Sequence, residues 1–153
     1  MVKAFLFGKF LPFHKGHEAM INFALTKCDF LTVLVCCSDK ENIPGMTRQK
    51  WIEKTFVTEK NIEIKIFDYL ESEFPNTSES SRNVSKIWSD KFKELFPDYD
   101  LVITSEAYGY YVASFMNIKH IAFDIPKKIF PISASAVRKD LFANWNFLPD
   151  SVK

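Results

Sequence analysis

The residues best suited to chemistry lie in one segment near the amino end, GKFLPFHKGH over residues 8–17. His14 and His17 are three residues apart and precede an amphipathic stretch, so both imidazoles can face one ligand at the start of a helix. Gly8 lets the backbone turn and approach a ligand closely, and Gly16 leaves space where a side chain would block a phosphate. A helix N-terminus adds unpaired amide donors and a partial positive charge. The segment therefore suits a triphosphate.

Other chemistries fit this segment less well. Two surface histidines beside a helix are the ordinary interpretation of an isolated HxxH pattern, but here a strand, a glycine and a helix surround it. A metal site would need a third ligand, and the one remaining histidine, His120, lies in a predicted strand, where we interpret it as structural. The segment is not a P-loop, because the chain contains no GxxxxGK[ST] pattern.

The surrounding sequence alternates short apolar runs with amphipathic stretches. The pattern predicts strands over residues 2–7, 31–37, 62–67, 101–104 and 120–123, and helices over residues 16–27, 47–58, 84–96, 107–116 and 135–145. We expect Thr47 to cap the second helix and serines to cap the last one. Strand–helix alternation predicts an α/β fold, with about five parallel strands in one sheet, helices on both faces and a single domain over residues 1–153.

Two polar stretches interrupt this alternation. Residues 38–46 follow the second predicted strand, and residues 71–82 follow the third. Loops of this length in compact domains are more often functional than accidental. Both should lie at the carboxyl edge of the sheet, where ligands bind in open α/β folds, together with the histidine segment after the first strand.

Composition narrows the function classes. The chain has 153 residues, with 20 Lys and Arg against 19 Asp and Glu, and a formal net charge of +1. This balance argues against binding nucleic acid or an anionic membrane through bulk charge. Cys28, Cys36 and Cys37 form no zinc or disulfide pattern and indicate reduced thiols in a cytoplasmic protein, with Cys36 and Cys37 on opposite faces of a strand. We assign most of the 16 Phe to the core.

A second motif lies near the carboxyl end, ISASAVR over residues 132–138. The two segments together resemble the GxFxPxHxGH and ISx[ST]xxR signatures of the nucleotidyltransferase superfamily of adenylyl- and cytidylyltransferases. The chain is most similar to the NMN adenylyltransferase domain of bifunctional NMN adenylyltransferase/ribosylnicotinamide kinase proteins, through FGKFLPFHKGHEAMI, TRQKWIEKTF, IWSDKFKELF, TSEAYG and ISASAVRKDLFANWNFLP. The likeness covers nearly the whole chain and implies a Rossmann-like nucleotidyltransferase fold. It includes no kinase segment, so kinase activity is not implied.

The resemblance implies a reaction and a set of site residues. AMP passes from ATP to NMN, giving NAD and pyrophosphate by in-line attack on the α-phosphate, with Mg²⁺ held by the ATP phosphates and water. The implied catalytic residues are His14, His17 (nearest the α-phosphate), Lys9 and Arg48. The implied ATP-binding residues are Gly8, Phe10, Gly16, Glu106, Tyr108, Ser133, Ser135 and Arg138. The implied NMN-binding residues are Asn83 and Trp88, with the indole stacked on the nicotinamide.

Several of these roles have structural alternatives. Lys9 can be a solvated lysine, Arg48 an exposed arginine in the first helical turn, and Arg138 a partner in a surface salt bridge. Trp88 fits the apolar stripe of its helix and can belong to the core. For the protein as a whole, the alternatives are another acceptor (pantetheine phosphate, or a sugar or alditol phosphate) and a non-catalytic module that senses NAD or ATP. We expect small-molecule substrates as partners, without nucleic acid or membrane, and leave a homo-oligomer open.

Overall fold

Five strands form the centre of the molecule in the computed structural model, which describes residues 1–75, 82–124 and 133–153. The strands are β1 Lys3–Gly8, β2 Phe30–Ser38, β3 Ile62–Tyr69, β4 Leu101–Thr104 and β5 Lys119–Ala122. They form one sheet in the order β3-β2-β1-β4-β5, and each neighbouring pair is parallel. The predicted five-stranded parallel α/β fold is confirmed.

Helices cover both faces of this sheet, as predicted. They are α1 Lys15–Leu25, α2 Gly45–Thr55, α3 Arg82–Leu95, α4 Gly109–Met116 and the short α5 Ala134–Lys139, followed by a 3₁₀ turn at Trp145–Phe147. Buried side chains of α1 and α2 pack on one face, and those of α3 and α4 pack on the other. None of the helices in the described part of the chain has the length and apolar character needed to cross a lipid bilayer.

Alternation along the strands divides the core into two layers. In β1, Ala4 and Leu6 point to the α1/α2 face, whereas Phe5 and Phe7 point to the α3/α4 face, as the period of two requires. Phe5 stacks on Phe96 with ring centroids 4.4 Å apart. In β2, Cys36 and Cys37 belong to opposite faces, which confirms the prediction, and both are free thiols. Much of the aromatic content therefore fills the α3/α4 face of the core.

The start of α2 differs from the prediction that Thr47 caps this helix. The helix begins at Gly45, with Pro44 in the capping position and no side-chain cap. The amides of Thr47 and Arg48 already donate to the Pro44 carbonyl, at 3.1 and 3.3 Å. Thr47 therefore lies inside the first turn, because the fixed φ of Pro44 allows the helix to begin earlier than the sequence pattern indicated.

The last helix is also shorter than predicted. Instead of extending over residues 135–145, α5 ends at Lys139, and Asp140 takes an extended conformation. The Asp140 carboxylate accepts a hydrogen bond of 3.0 Å from the amide of Ala143. A short polar side chain that bonds nearby backbone competes with helix continuation, so a turn replaces the expected helical residues.

Candidate active site

The two histidines form the cap of α1. His14 is the N-cap residue, and its Nδ1 accepts from the amide of His17 at 3.3 Å. In return, the amide of His14 donates to Nδ1 of His17 at 3.2 Å. The two rings stack with centroids 3.6 Å apart and planes 15° from parallel. The imidazoles are thus fixed side by side by reciprocal bonds to the backbone, in the geometry of a capping box.

These bonds also determine which nitrogen of each ring can donate. Since Nδ1 accepts a backbone hydrogen in both rings, the proton of each neutral imidazole lies on Nε2. The histidine pair therefore presents two Nε2–H donors. Lys15 and Gly16 occupy the first two positions of α1, so their amides lie beside the same cap. Adjacent imidazole and helix-terminal donors are suited to the oxygens of a phosphate chain.

The β1–α1 loop, residues 9–14, is packed under these rings. Phe10 is 1% exposed, has a φ of 53° and makes edge contacts with Phe13 and His17. A positive φ is uncommon for a bulky residue and indicates a backbone held in place by its surroundings. A Cβ at Gly8 would lie 3.3 Å from the Phe10 ring, while φ of Gly8 is not positive. Gly8 thus leaves room for the Phe10 ring that a Cβ would reduce, and its backbone does not use the positive φ that glycine adopts readily, which differs from the expected backbone freedom.

Arg48 holds this loop from below. Its side chain is 1% exposed, so the alternative of an exposed arginine is wrong. The guanidinium donates to the carbonyls of Ile43, Lys9 and Cys36, at 2.6–3.0, 3.1 and 3.3 Å. These carbonyls belong to the polar loop 38–46, the β1–α1 loop and β2. Arg48 therefore connects three segments, and direct contact of Arg48 with a phosphate stays a prediction.

Glu41 is a site residue that sequence reasoning missed. Its carboxylate is 8% exposed and contacts Arg48 Nη1 through Oε1 and Lys9 Nζ through Oε2, both at 2.9 Å. The amide of Ser38 donates to Oε1 at 2.9 Å. Burial by itself would raise the pKa of this carboxyl, but the Lys9 ammonium, the Ser38 amide and then Arg48 bring its pKa below the usual 4.5. The sequence held one signal for this role of Glu41. It is an acidic residue in a polar loop, and Lys9 and Arg48 were both predicted to be cations of the site.

Helix α5 brings the second motif to the first. Ser133 caps α5, because its hydroxyl accepts from the amide of Ala136 at 3.2 Å, which confirms the predicted serine cap. Arg138 donates through Nη1 to the carbonyl of Leu11, 127 residues away. This bond joins α5 to the β1–α1 loop. Residue 132 and the side chain of Ser135 lie outside the described part of the chain.

The residues after β4 are placed less directly. Tyr108 is 8% exposed and packs on Phe7, with centroids 5.7 Å apart, whereas Glu106 is exposed and its carbonyl accepts from the hydroxyl of Thr104 at 3.0 Å. Thr104 also bonds His120 Nε2 at 2.7 Å. Burial lowers the pKa of His120 below its usual value. His120 is thus a structural residue here, as interpreted from the sequence, and adenosine contact by Glu106 and Tyr108 stays a prediction.

No group of three or more His, Cys, Asp or Glu side chains that could hold a metal ion occurs in residues 1–75, 82–124 and 133–153. The expectation that Mg²⁺ is held by ATP phosphates therefore stays a prediction.

A cavity of about 450 Å³ opens where β2 and β3 end. Its lining includes three aromatic rings and three carboxylates, from Phe67, Tyr69, Phe74, Asp39, Asp68 and Glu73. Ser38 lines it as well, and the Ser38 amide is the one that bonds Glu41. The cavity and the β1–α1 loop are therefore connected through Glu41.

Trp88 lies behind this cavity. Its side chain is 3% exposed, and its Nε1 donates to the Pro75 carbonyl at 2.8 Å. The indole packs edge-on against Tyr69 and tilted against Phe74, each with centroids 5.0 Å apart. Asn83 is exposed in the first turn of α3. Trp88 thus supports the aromatic wall from the core, and stacking of its indole on a nicotinamide stays a prediction.

The chain is similar to several known proteins over most of its length. The family model for the citrate lyase ligase C-terminal domain matches residues 9–121. The trifunctional NAD biosynthesis/regulator protein NadR of Escherichia coli (strain K12) is 26% identical over an alignment of 168 residues, gaps included, which covers 97% of this chain and 39% of that protein. NadR of Salmonella typhimurium (strain LT2) is 25% identical over 166 residues, with the same coverage. The chain thus spans about two fifths of the length of these curated relatives.

Solved structures share the fold. A crystal structure of NadR in complex with NAD and AMP-PNP has a TM-score of 0.68 at 20% identity and covers 95% of this chain and 44% of its own. A bifunctional NMN adenylyltransferase/ADP ribose pyrophosphatase from Francisella tularensis has a TM-score of 0.68 at 17% identity, covering 98% and 44%. At these identities, the structures establish the common α/β architecture.

Proposed function

The chain belongs to the citrate lyase ligase C-terminal domain family, which is nucleotidyltransferase-like, and we propose that it is a nicotinamide-nucleotide adenylyltransferase. It transfers AMP from ATP to NMN and releases pyrophosphate. The observation that carries this proposal is the stacked pair His14 and His17 at the N-terminus of α1, with ring centroids 3.6 Å apart and Nδ1 of each ring bound to a backbone amide. The bond from Arg138 to Leu11 supports it further, because it brings the ISASAVR helix to the same loop.

The proposed reaction needs positioning and charge stabilisation more than acid–base chemistry. An oxygen of the NMN 5′-phosphate forms a bond to the α-phosphorus of ATP, and the bond to the bridging oxygen breaks, leaving its electron pair on pyrophosphate. The attacking phosphate monoester is already largely ionised at neutral pH, since its second pKa is about 6. His14 and His17 therefore act as hydrogen-bond donors to phosphate oxygens, where charge accumulates in the transition state. Mg²⁺ enters with ATP and neutralises part of the triphosphate charge.

We assign the nicotinamide riboside end of NMN to the cavity after β2 and β3. A pyridinium ring is flat and cationic, and the cavity offers Tyr69 and Phe74 as faces and a rim with more carboxylates than cations. Cation–π contact of this kind contributes about 0.5–2 kcal/mol. Ser38 lines the cavity and bonds Glu41, which pairs with Lys9 of the β1–α1 loop, so we place the phosphate of the acceptor at the side of the cavity nearer this loop. Asn83 and Trp88 remain the sequence-based candidates for the same ring.

An acceptor panel tests this function. Purified protein, Mg²⁺ and either ATP or CTP are incubated with NMN, nicotinate mononucleotide, pantetheine phosphate, and a sugar and an alditol phosphate, and pyrophosphate is measured. We expect release with ATP and NMN, together with NAD by chromatography. Turnover with another acceptor would keep nucleotidyl transfer and overturn the NMN assignment. ATP or NAD binding in a calorimetric titration, with no pyrophosphate from any pair, would identify a sensor instead.

A further inference from the structure

Glu41 is buried between two cations, Lys9 and Arg48, to which the family resemblance assigns catalytic roles. Its Oε1 receives Arg48 Nη1 and the Ser38 amide, while Oε2 is paired with Lys9 Nζ at 2.9 Å. That last contact has the distance of an ion pair but not the angles of a hydrogen bond, and within the described residues Oε2 has no hydrogen-bond partner. Lys9 is therefore the group that compensates this oxygen.

The two cations differ in what else holds them. Arg48 is 1% exposed and donates to three backbone carbonyls, so its position is secured without Glu41. The side chain of Lys9 is 35% exposed and has four rotatable bonds, and Glu41 is its ion-pair partner. Lys9 follows Gly8 as the first residue of the β1–α1 loop, which leads to the histidine pair. The carboxylate thus restricts the one cation that can turn towards solvent or ligand.

We propose that Glu41 is a positioning residue, which holds the Lys9 ammonium at the mouth of the β1–α1 loop so that it meets the triphosphate without first losing side-chain freedom. This role rests on the proposed function. The trio of Glu41, Lys9 and Arg48 carries a net charge of +1, so the site still attracts a phosphate chain. Ordering a lysine side chain costs up to about 2 kcal/mol, and preorganisation removes part of that cost from ATP binding.

The opposite role for Glu41 would be to weaken ATP binding. A carboxylate beside Lys9 can compete with phosphate for the ammonium, and its removal would then tighten ATP binding. Burial argues against this alternative, because the Glu41 side chain is 8% exposed and is held by Arg48 and Ser38 on the side away from Lys9. A phosphate can therefore approach Lys9 without displacing Glu41.

The experiment measures KM for MgATP, kcat, and MgATP affinity by calorimetry in Glu41→Gln, Lys9→Met and the double variant. We expect Glu41→Gln to raise KM and Kd for MgATP about tenfold, with a smaller change in kcat, because the Lys9 side chain must then lose its freedom when ATP binds. In the Lys9→Met background the same change should alter KM by less than about twofold, since the partner is absent. The matched control is Glu71→Gln, an exposed carboxylate that bonds the Ser38 hydroxyl at 3.3 Å, which should behave as wild type.

Two outcomes would overturn the role of Glu41. A lower KM in Glu41→Gln would show competition, and an equal rise with and without Lys9 would show that Glu41 acts through Arg48 alone. If Glu41→Gln does not fold, Glu41→Asp replaces it, and an unchanged Kd for MgATP in that shortened variant would count against the proposal. A wild-type protein that binds no MgATP would overturn the proposed function itself, whereas equal binding by wild type and Glu41→Gln would remove only the positioning role.

Discussion

The β1–α1 loop and the cavity after β3 lie at the same sheet edge but are held by different forces. Sequence-distant arginines hold the loop, since Arg48 bonds the Lys9 carbonyl and Arg138 bonds the Leu11 carbonyl. The cavity wall is held by contacts among aromatic rings, with Trp88 behind Tyr69 and Phe74. Directional hydrogen bonds fix atoms closely, whereas ring packing tolerates changes of shape. The loop is therefore suited to bind the reacting phosphates. The aromatic wall is suited to bind a flat ring, which needs only a surface to stack against.

The largest expected effect is at the histidine pair. Replacing His17 with Ala removes one Nε2–H donor and should lower kcat about 10²- to 10³-fold, the loss seen when one transition-state donor is removed. Loss of the bond from the His14 amide to the His17 ring should lower the free energy of unfolding by only about 0.5–1.5 kcal/mol, because His14 still caps the helix. Steady-state pyrophosphate assays and urea unfolding measure the two effects. His14→Asn is the matched variant, because Asn still caps the helix, so its stability should hold while kcat falls. Near-normal kcat in both variants would remove the histidines from the mechanism.

The next largest effect is expected at Arg48, which holds the β1–α1 loop. Arg48→Met deletes the buried cation and leaves the Glu41 carboxylate buried beside Lys9 alone, so the free energy of unfolding should fall by about 3–5 kcal/mol. Adding Glu41→Gln should recover part of this loss, since the unpaired charge is then gone. Urea titration of the wild type, Arg48→Met, Glu41→Gln and the double variant completes the double-mutant cycle. A loss below about 1 kcal/mol would show that the carbonyl contacts of Arg48 do not hold the loop.

A smaller effect is expected on the cavity side. Trp88→Phe keeps a ring but removes the bond to the Pro75 carbonyl and leaves space in a buried position, which should together lower the free energy of unfolding by about 2–3 kcal/mol. The KM for the acceptor should change by less than about threefold, and the KM for ATP should not change, because ring packing tolerates the substitution. Trp145→Phe, at a half-exposed indole, is the control. A large rise in acceptor KM without loss of stability would instead place the indole on the acceptor, as the sequence predicted.

The smallest effect is the pH dependence of the Glu41 contribution. The folded pKa lies below the ordinary 4.5, so the stabilisation is complete above that pH and is lost as the pH falls through the folded pKa. The stability difference between wild type and Glu41→Gln should therefore shrink between pH 7 and pH 3. Urea unfolding at both values measures it. A difference independent of pH would show that the carboxylate charge is not what stabilises the loop.

Much of the fold could be predicted because apolar periodicity is a local property. Strands such as β2, Phe30–Ser38, are buried on both faces, so they can be recognised in the sequence as continuous apolar runs. Errors fell at element ends, where one interaction decides: Pro44 started α2 early, and the Asp140 carboxylate ended α5. Residue types with a known motif were found for the same local reason, whereas Glu41 was not, since its importance depends on the proximity of Lys9 and Arg48.

The sequence by itself determined the parallel α/β architecture, the placement of the histidine segment after the first strand and the serine cap of the last helix, because strand burial, helix start signals and capping act over a few residues. Only the tertiary structure decided that Arg48 is buried, that Trp88 lies behind the cavity wall, and that Arg138 reaches Leu11 across 127 residues. Those outcomes depend on which carbonyls and rings become neighbours when the sheet assembles, and a one-dimensional pattern does not contain that information.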